Sequence, residues 1–158
     1  MPRENLERQA LERFEKIARN YKHSIFSGQG KDNRIPVSGN TYFQFGDLRV
    51  ITKTHHIVIE VESAGGITNL VKYWYCLESQ SRFVDKPIIL LHVFRQSSEA
   101  DYGSHLALWD FMWQKMESAL GDARIKATRY TYRDITELEP IVSEFEKHLK
   151  SNPVSISG

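Results

Sequence analysis

The sequence predicts a single α/β domain, and three observations carry that expectation. Apolar residues at helical spacing open and close the chain. Between them lie β-branched runs at 48–52 and 57–61, which read as strands. A further run, 88–94, is almost continuously apolar, the pattern of a strand buried on both faces. The 158 residues suffice for one domain with a real core and are too few for two ordinary ones.

In order, Leu6, Ala10, Phe14, Ile17 and Tyr21 recur every three or four residues and predict an amphipathic helix over 4–22. Residues 27–40 are polar and rich in turn formers, with Pro36 among them, and predict a long loop. A short aromatic strand follows at 42–45. The runs 48–52 and 57–61 then form a hairpin closed by a two-residue turn at Thr54-His55. Gly65-Gly66 breaks the pattern, and Ile67, Leu70, Val71 and Trp74 predict a helix to about residue 79. After Pro87 comes the buried strand 88–94, then a loop at 97–103. An apolar helix from Leu106 ends at Gly121, a favoured C-terminal stop. The segment Ile125–Tyr132 is half polar, which predicts an edge strand. A last helix, capped at Thr136 or its neighbours, runs to about Lys150. The domain is thus expected over 1–150, with 151–158 as a flexible tail.

Composition narrows the function classes. It is 41% hydrophobic and 26% charged, as in water-soluble globular chains. No apolar run approaches the ~20 residues of a membrane helix, and the polar start carries no secretory pattern, so a cytoplasmic location is expected. A single cysteine, Cys76, excludes an internal disulfide framework and Cys-rich zinc sites. Net charge is +1, so no global basic field announces nucleic acid. Arg8, Arg13, Lys16, Arg19 and Lys22 cluster near one end, and solvated helix faces are the plainer reading of such clusters. Trp109, Met112, Trp113 and Met116 read as core packing ahead of a homodimer face. His92, Arg95 and Gln96 end the central strand, where α/β sheets often form clefts.

The chemistry concentrates on acids. Strand side chains alternate between faces, so Val58, Glu60 and Glu62 share one and Ile57, Ile59 and Val61 the other. Two carboxylates this close on so apolar a strand repel each other unless a cation, an arginine or solvent compensates. The two-residue turn would set Asp47 across from Glu62 and Arg49 across from Glu60, with Lys53 on the same face at the hairpin end. Three convergent carboxylates suit Mg²⁺ or Mn²⁺. Helical phase turns Glu7 inward as a fourth acid, although a first-turn acid also favours the helix dipole. The competing account is an Arg49–Glu60 salt bridge, Glu62 at a solvated strand end and Asp47 as a turn acid.

With Glu7 on the first helix, Asp47 in Phe45-Gly46-Asp47-Leu48 and Glu60-Val61-Glu62 on the next strand, the chain resembles the PD-(D/E)XK nuclease superfamily. That resemblance covers roughly residues 4–95. It implies a restriction-endonuclease-like core (helix, three antiparallel strands, helix, strand), here with an extra C-terminal helix, strand and helix. It further implies Mg²⁺- or Mn²⁺-dependent hydrolysis of phosphodiester bonds in DNA. Asp47, Glu60 and Glu62 match the acidic motif, with Glu7 as a further ligand. Glu62 stands where the family's pattern has lysine. Some restriction endonucleases of the superfamily also carry Glu there, and Lys53, on the acidic face at the hairpin end, is a further catalytic candidate. Helical phase directs Lys72 away from the acids. Arg8, Arg19 and Arg95 are the expected DNA contacts. A catalytically silent, nuclease-like binding module is the alternative.

Overall fold

A computed structural model describes residues 4–62, 66–79, 84–96, 103–121 and 123–152. The elements run α1 (Glu4–Ala18), β1 (Ser24–Ser27), β2 (Arg34–Ser38), β3 (Thr41–Gln44), β4 (Leu48–Ile51), β5 (His56–Glu62), α2 (Ile67–Ser79), β6 (Ile88–Arg95), α3 (Gly103–Leu120), β7 (Ile125–Tyr132) and α4 (Ile135–Ser151). Five strands form a mixed sheet in the order β1-β4-β5-β6-β7, and β2 and β3 pair as a separate ribbon. The protein is therefore α/β, with four helices among the described residues.

β5, β6 and β7 are parallel. Parallel neighbours need a crossover, and α2 and α3 supply the two. β4 and β1 extend the sheet in antiparallel fashion. β5 is buried along nearly its whole length and β6 likewise, as the almost continuously apolar run at 88–94 requires of a central strand. β7 closes one edge, as its polar alternation predicts.

The two sheet faces have separate cores. On one, Ala10 and Phe14 of α1 and Ile141 and Phe145 of α4 pack on Val50, Ile59 and Leu91. Phe14 meets Phe145 edge to face at 5.5 Å between ring centroids. On the other, Leu70 and Tyr73 of α2 and Trp109 and Met116 of α3 pack on Val58, Leu90 and Phe94. Trp109 and Met116 are core, as expected, while Leu108 and Phe111 are the exposed apolar residues of that helix.

Several local expectations are corrected. The loop expected over 27–40 contains β2, and the aromatic run at 42–45 is its ribbon partner, not a strand of the main sheet. α1 ends at Ala18, and β1 follows at Ser24. Asp134 caps α4, accepting a hydrogen bond from the Glu137 backbone N–H at 3.1 Å. The expected loop at 97–103 lies outside the described residues except for Gly103, which opens α3, and the tail from 153 onward lies outside them altogether. Among the described residues no helix is long and apolar enough to cross a membrane.

The β4–β5 turn is longer than two residues. Ile51 pairs with His56 and Leu48 with Ile59, leaving 52–55 as a four-residue loop. Thr52 Oγ1 accepts from the backbone N–H groups of Thr54 and His55 and so closes the loop with its own side chain. The register consequently slips by two residues. A two-residue slip preserves every side chain's face, so Asp47 and Arg49 stay on the Glu60 side. Arg49 now faces Val58 instead of Glu60.

Candidate functional site

Asp47 is placed by the glycine before it. Gly46 has φ +83°, and a Cβ there would lie 2.4 Å from Val58 Cγ1, so only glycine lets this backbone press onto β5. The Asp47 N–H then donates to the Ile59 carbonyl at 3.0 Å. Its Oδ2 accepts from the Val61 N–H at 2.9 Å, and its Oδ1 from Gln44 Nε2 at 3.0 Å. Burial pushes the Asp47 carboxyl above its ordinary value, with the Glu62 charge adding to the rise. A cleft of about 240 Å³, bordered by Asp47, Gln44, Gly28 and Glu15, runs from Asp47 toward α1.

Glu60 is 1% exposed. Its Oε2 receives two donors from α2, Lys72 Nζ at 2.6 Å and Tyr73 Oη at 3.0 Å. Lys72 is itself buried, so the contact is an ion pair removed from water, in which each charge depends on the other. Burial still dominates the proton equilibrium of Glu60, whose pKa rises to about 7, with Asp47 adding to the rise and Lys72 and Tyr73 opposing it.

Glu62 is held differently. Its Oε1 accepts from Asn69 Nδ2 in the first turn of α2. His92 Nε2 lies 3.5 Å from the same oxygen. Gly66, at φ +74°, leaves the space for this side chain, because a Cβ there would stand 2.7 Å from Glu62 Cγ. Both of the contacts to Glu60 are made to Oε2, and both of those to Glu62 to Oε1.

Lys72 is the principal correction to the sequence expectation. The sequence predicts an apolar stripe through Ile67, Leu70, Val71 and Trp74, whereas the buried residues of α2 are Leu70, Lys72, Tyr73, Cys76 and Leu77. Trp74 is half-buried at the margin of that core, and its Nε1 donates to Glu78. The phase shift brings Lys72 inward, next to Glu60.

The remaining candidates separate from this cluster. Lys53 is exposed in the β4–β5 loop, at the opposite end of β5 from Glu60 and Glu62. Arg49 gives its guanidinium to Asn33 Oδ1 at 3.0 Å and the Asp32 carbonyl at 2.6 Å, and leaves Glu60 to Lys72. Glu7 belongs to α1, which packs on the other sheet face, and its charge is felt there by Tyr132. Arg8 pairs with Glu12 at 3.8 Å and Arg19 with Glu15 at 2.6 Å along α1. Arg95, at the end of β6, is half-buried beside Tyr132.

The donors of the cluster are oxygen atoms, the chemistry preferred by Mg²⁺ and Mn²⁺. Asp47, Glu60 and Glu62 lie at one end of β4 and β5, where the Glu62 charge bears on Asp47 and the Asp47 charge on Glu60. In this conformation, however, no three His, Cys, Asp or Glu side chains among the described residues converge closely enough to hold a metal ion. Comparison of the chain with protein-family models, with curated proteins and with solved structures found no match.

Proposed function

We propose that this chain is a divalent-metal-dependent phosphodiesterase acting on DNA, related to the PD-(D/E)XK nucleases that its sequence resembles. The Lys72–Glu60 ion pair is the observation that carries the reading. The strand lacks the lysine of the Glu-x-Lys pattern, and a helix lysine supplies a buried ammonium beside the same acids. Asp47, Glu60 and Glu62 would hold Mg²⁺ or Mn²⁺, which when bound activates water and offsets charge on the phosphodiester. Asp47 is fixed by Gln44 and the Val61 N–H, so its carboxylate keeps its place without an ion. Lys72, paired with Glu60, is the buried ammonium of the cluster and would offset charge on a phosphoryl oxygen. Glu62, with one oxygen held by Asn69, is the carboxylate suited to take the proton of the attacking water. Hydrolysis proceeds without a covalent intermediate.

The test is cleavage of plasmid and oligonucleotide DNA with Mg²⁺ or Mn²⁺, comparing the native chain with Glu60→Ala. A loss of at least about a hundredfold is expected on removing this ligand. Cleavage unaffected by the change would refute the assignment. A second reading, a silent nuclease-like module, is favoured by the absence of three converged ligands among the described residues. DNA binding without cleavage in either metal would select it.

A further inference from the structure

The five-stranded sheet ends on two unequal edges. β1 presents only Ser24–Ser27, whereas β7 runs over Ile125–Tyr132 in continuous register with β6 and without a proline. The Arg124 and Tyr132 carbonyls accept from the N–H groups of Ile88 and Gln96 at the two ends of β6. Backbone direction alternates along a strand, so the even-numbered residues of β7 face β6. Ile125, Ala127, Arg129 and Thr131 therefore turn N–H and C=O outward, and no described strand pairs with them. A long free edge is a template for another strand, which proteins ordinarily blunt with charge, proline or a bulge. Here the Arg129 charge is drawn onto α3 by a two-point pair with Asp110, at 2.7 and 2.9 Å. Lys126 is the strand's other charge.

We propose that β7 pairs antiparallel with β7 of a second copy of this chain, joining the two sheets across a two-fold axis at Thr128. Directly opposed side chains share a sheet face, so such an axis pairs residues of like parity. Ala127 then opposes Arg129 of the second copy and Ile125 opposes its Thr131, which satisfies every outward N–H and C=O. An axis at Arg129 gives equal overlap but sets two like charges directly opposite each other. At Thr128 the close pair is threonine against threonine, a favourable cross-strand pair, and Thr128 is exposed. Lys126 meets Tyr130 of the second copy, whose phenol lies in the field of Glu144, so the ammonium approaches an acid. The match is self-complementary, which selects a second copy over an unrelated strand. The inference is independent of the metal-site reading.

Sedimentation velocity over a micromolar to millimolar series should show a monomer–dimer equilibrium. Thr128→Lys places two ammonium groups across the axis and should weaken the dimer at least about tenfold. Register is tested by cross-linking. A non-hydrogen-bonded antiparallel pair brings its Cα atoms to about 4.5 Å, within reach of a disulfide. Thr128→Cys should therefore form a covalent dimer under mild oxidation. Lys126→Cys should not, because it opposes Tyr130, whereas the double variant Lys126→Cys/Tyr130→Cys should. The native Cys76 is buried, so the unsubstituted chain gives the background. If Thr128→Lys fails to fold in circular dichroism, the cross-links decide alone. A chain that stays monomeric throughout the series overturns the proposal. So does a dimer that folded Thr128→Lys leaves intact, or one that cross-links through Lys126→Cys as readily as through Thr128→Cys.

Discussion

The two faces of the central sheet are made from alternate residues of the same strands and are built on different principles. Toward α1 and α4, β4 to β6 present Leu48, Val50, Ile57, Ile59, Val61, Leu91 and Val93, all apolar and packed on apolar helices. Toward α2 and α3 the same strands present Arg49, Glu60, Glu62 and His92 among their apolar residues. On the first face these three strands leave nothing to satisfy beyond volume. On the second, each polar group must find a partner or forfeit its hydration. Arg49 finds Asn33 and the Asp32 carbonyl, Glu60 finds Lys72 and Tyr73, and Glu62 finds Asn69. Retaining these polar side chains, and His56 beside them, in a largely buried sheet face is costly for stability.

That division can be broken from either side. Phe14→Ala removes a fully buried ring from the apolar face and should cost about 3–5 kcal/mol in urea denaturation. Since Phe14 lies across the sheet from the acids, Mn²⁺ affinity of the folded variant should stay within about twofold of native. A large change in affinity would mean that the faces are not independent.

The polar face is probed by pH. Glu60 has a folded pKa of about 7 against an ordinary 4.5, so between those values the native state binds the proton that the unfolded chain has released. Stability therefore falls as pH rises from about 4.5 to about 7, by on the order of 3 kcal/mol from this one group, and levels off above. Asp47, also raised, contributes with the same sign. Glu60→Gln should flatten its share of that fall, read as the difference between the two stability profiles. Identical profiles would show that Lys72 holds Glu60 ionised throughout. The smallest effect belongs to the surface. Arg8→Ala, which breaks an exposed pair with Glu12, should change stability by less than about 0.5 kcal/mol.

How much of this was legible in the sequence depended on what each feature needs to be read. The shared face of Asp47, Glu60 and Glu62 was legible because alternation survives a two-residue slip. The true turn was hidden in the side-chain chemistry of Thr52, which closes a loop that residue type alone does not announce. Residues 27–40 hid β2 because Gly, Asn and Pro outweigh Ile35 and Val37 by propensity, while Asn33 ties the region together through Gly28, Gly46 and Arg49. The inward turn of Lys72 is hidden in the sequence because α2 offers two plausible stripes. The larger Trp74 pointed to the wrong one, and Tyr73 fills the core. In the sequence His92 reads only as a strand-end residue. Its pairing with Trp109 joins residues 17 apart on a strand and a helix, which no local pattern encodes.

The central claim is that the carboxylates at the end of β4 and β5 form a divalent-cation site. The most direct measurement is anomalous diffraction from crystals of the protein soaked in Mn²⁺. The account predicts a peak between Asp47 and Glu60, with Glu62 turned toward it and Lys72 Nζ moved off Glu60 Oε2. Crystals saturated with Mn²⁺ that show no peak there, and Lys72 still paired with Glu60, would contradict it.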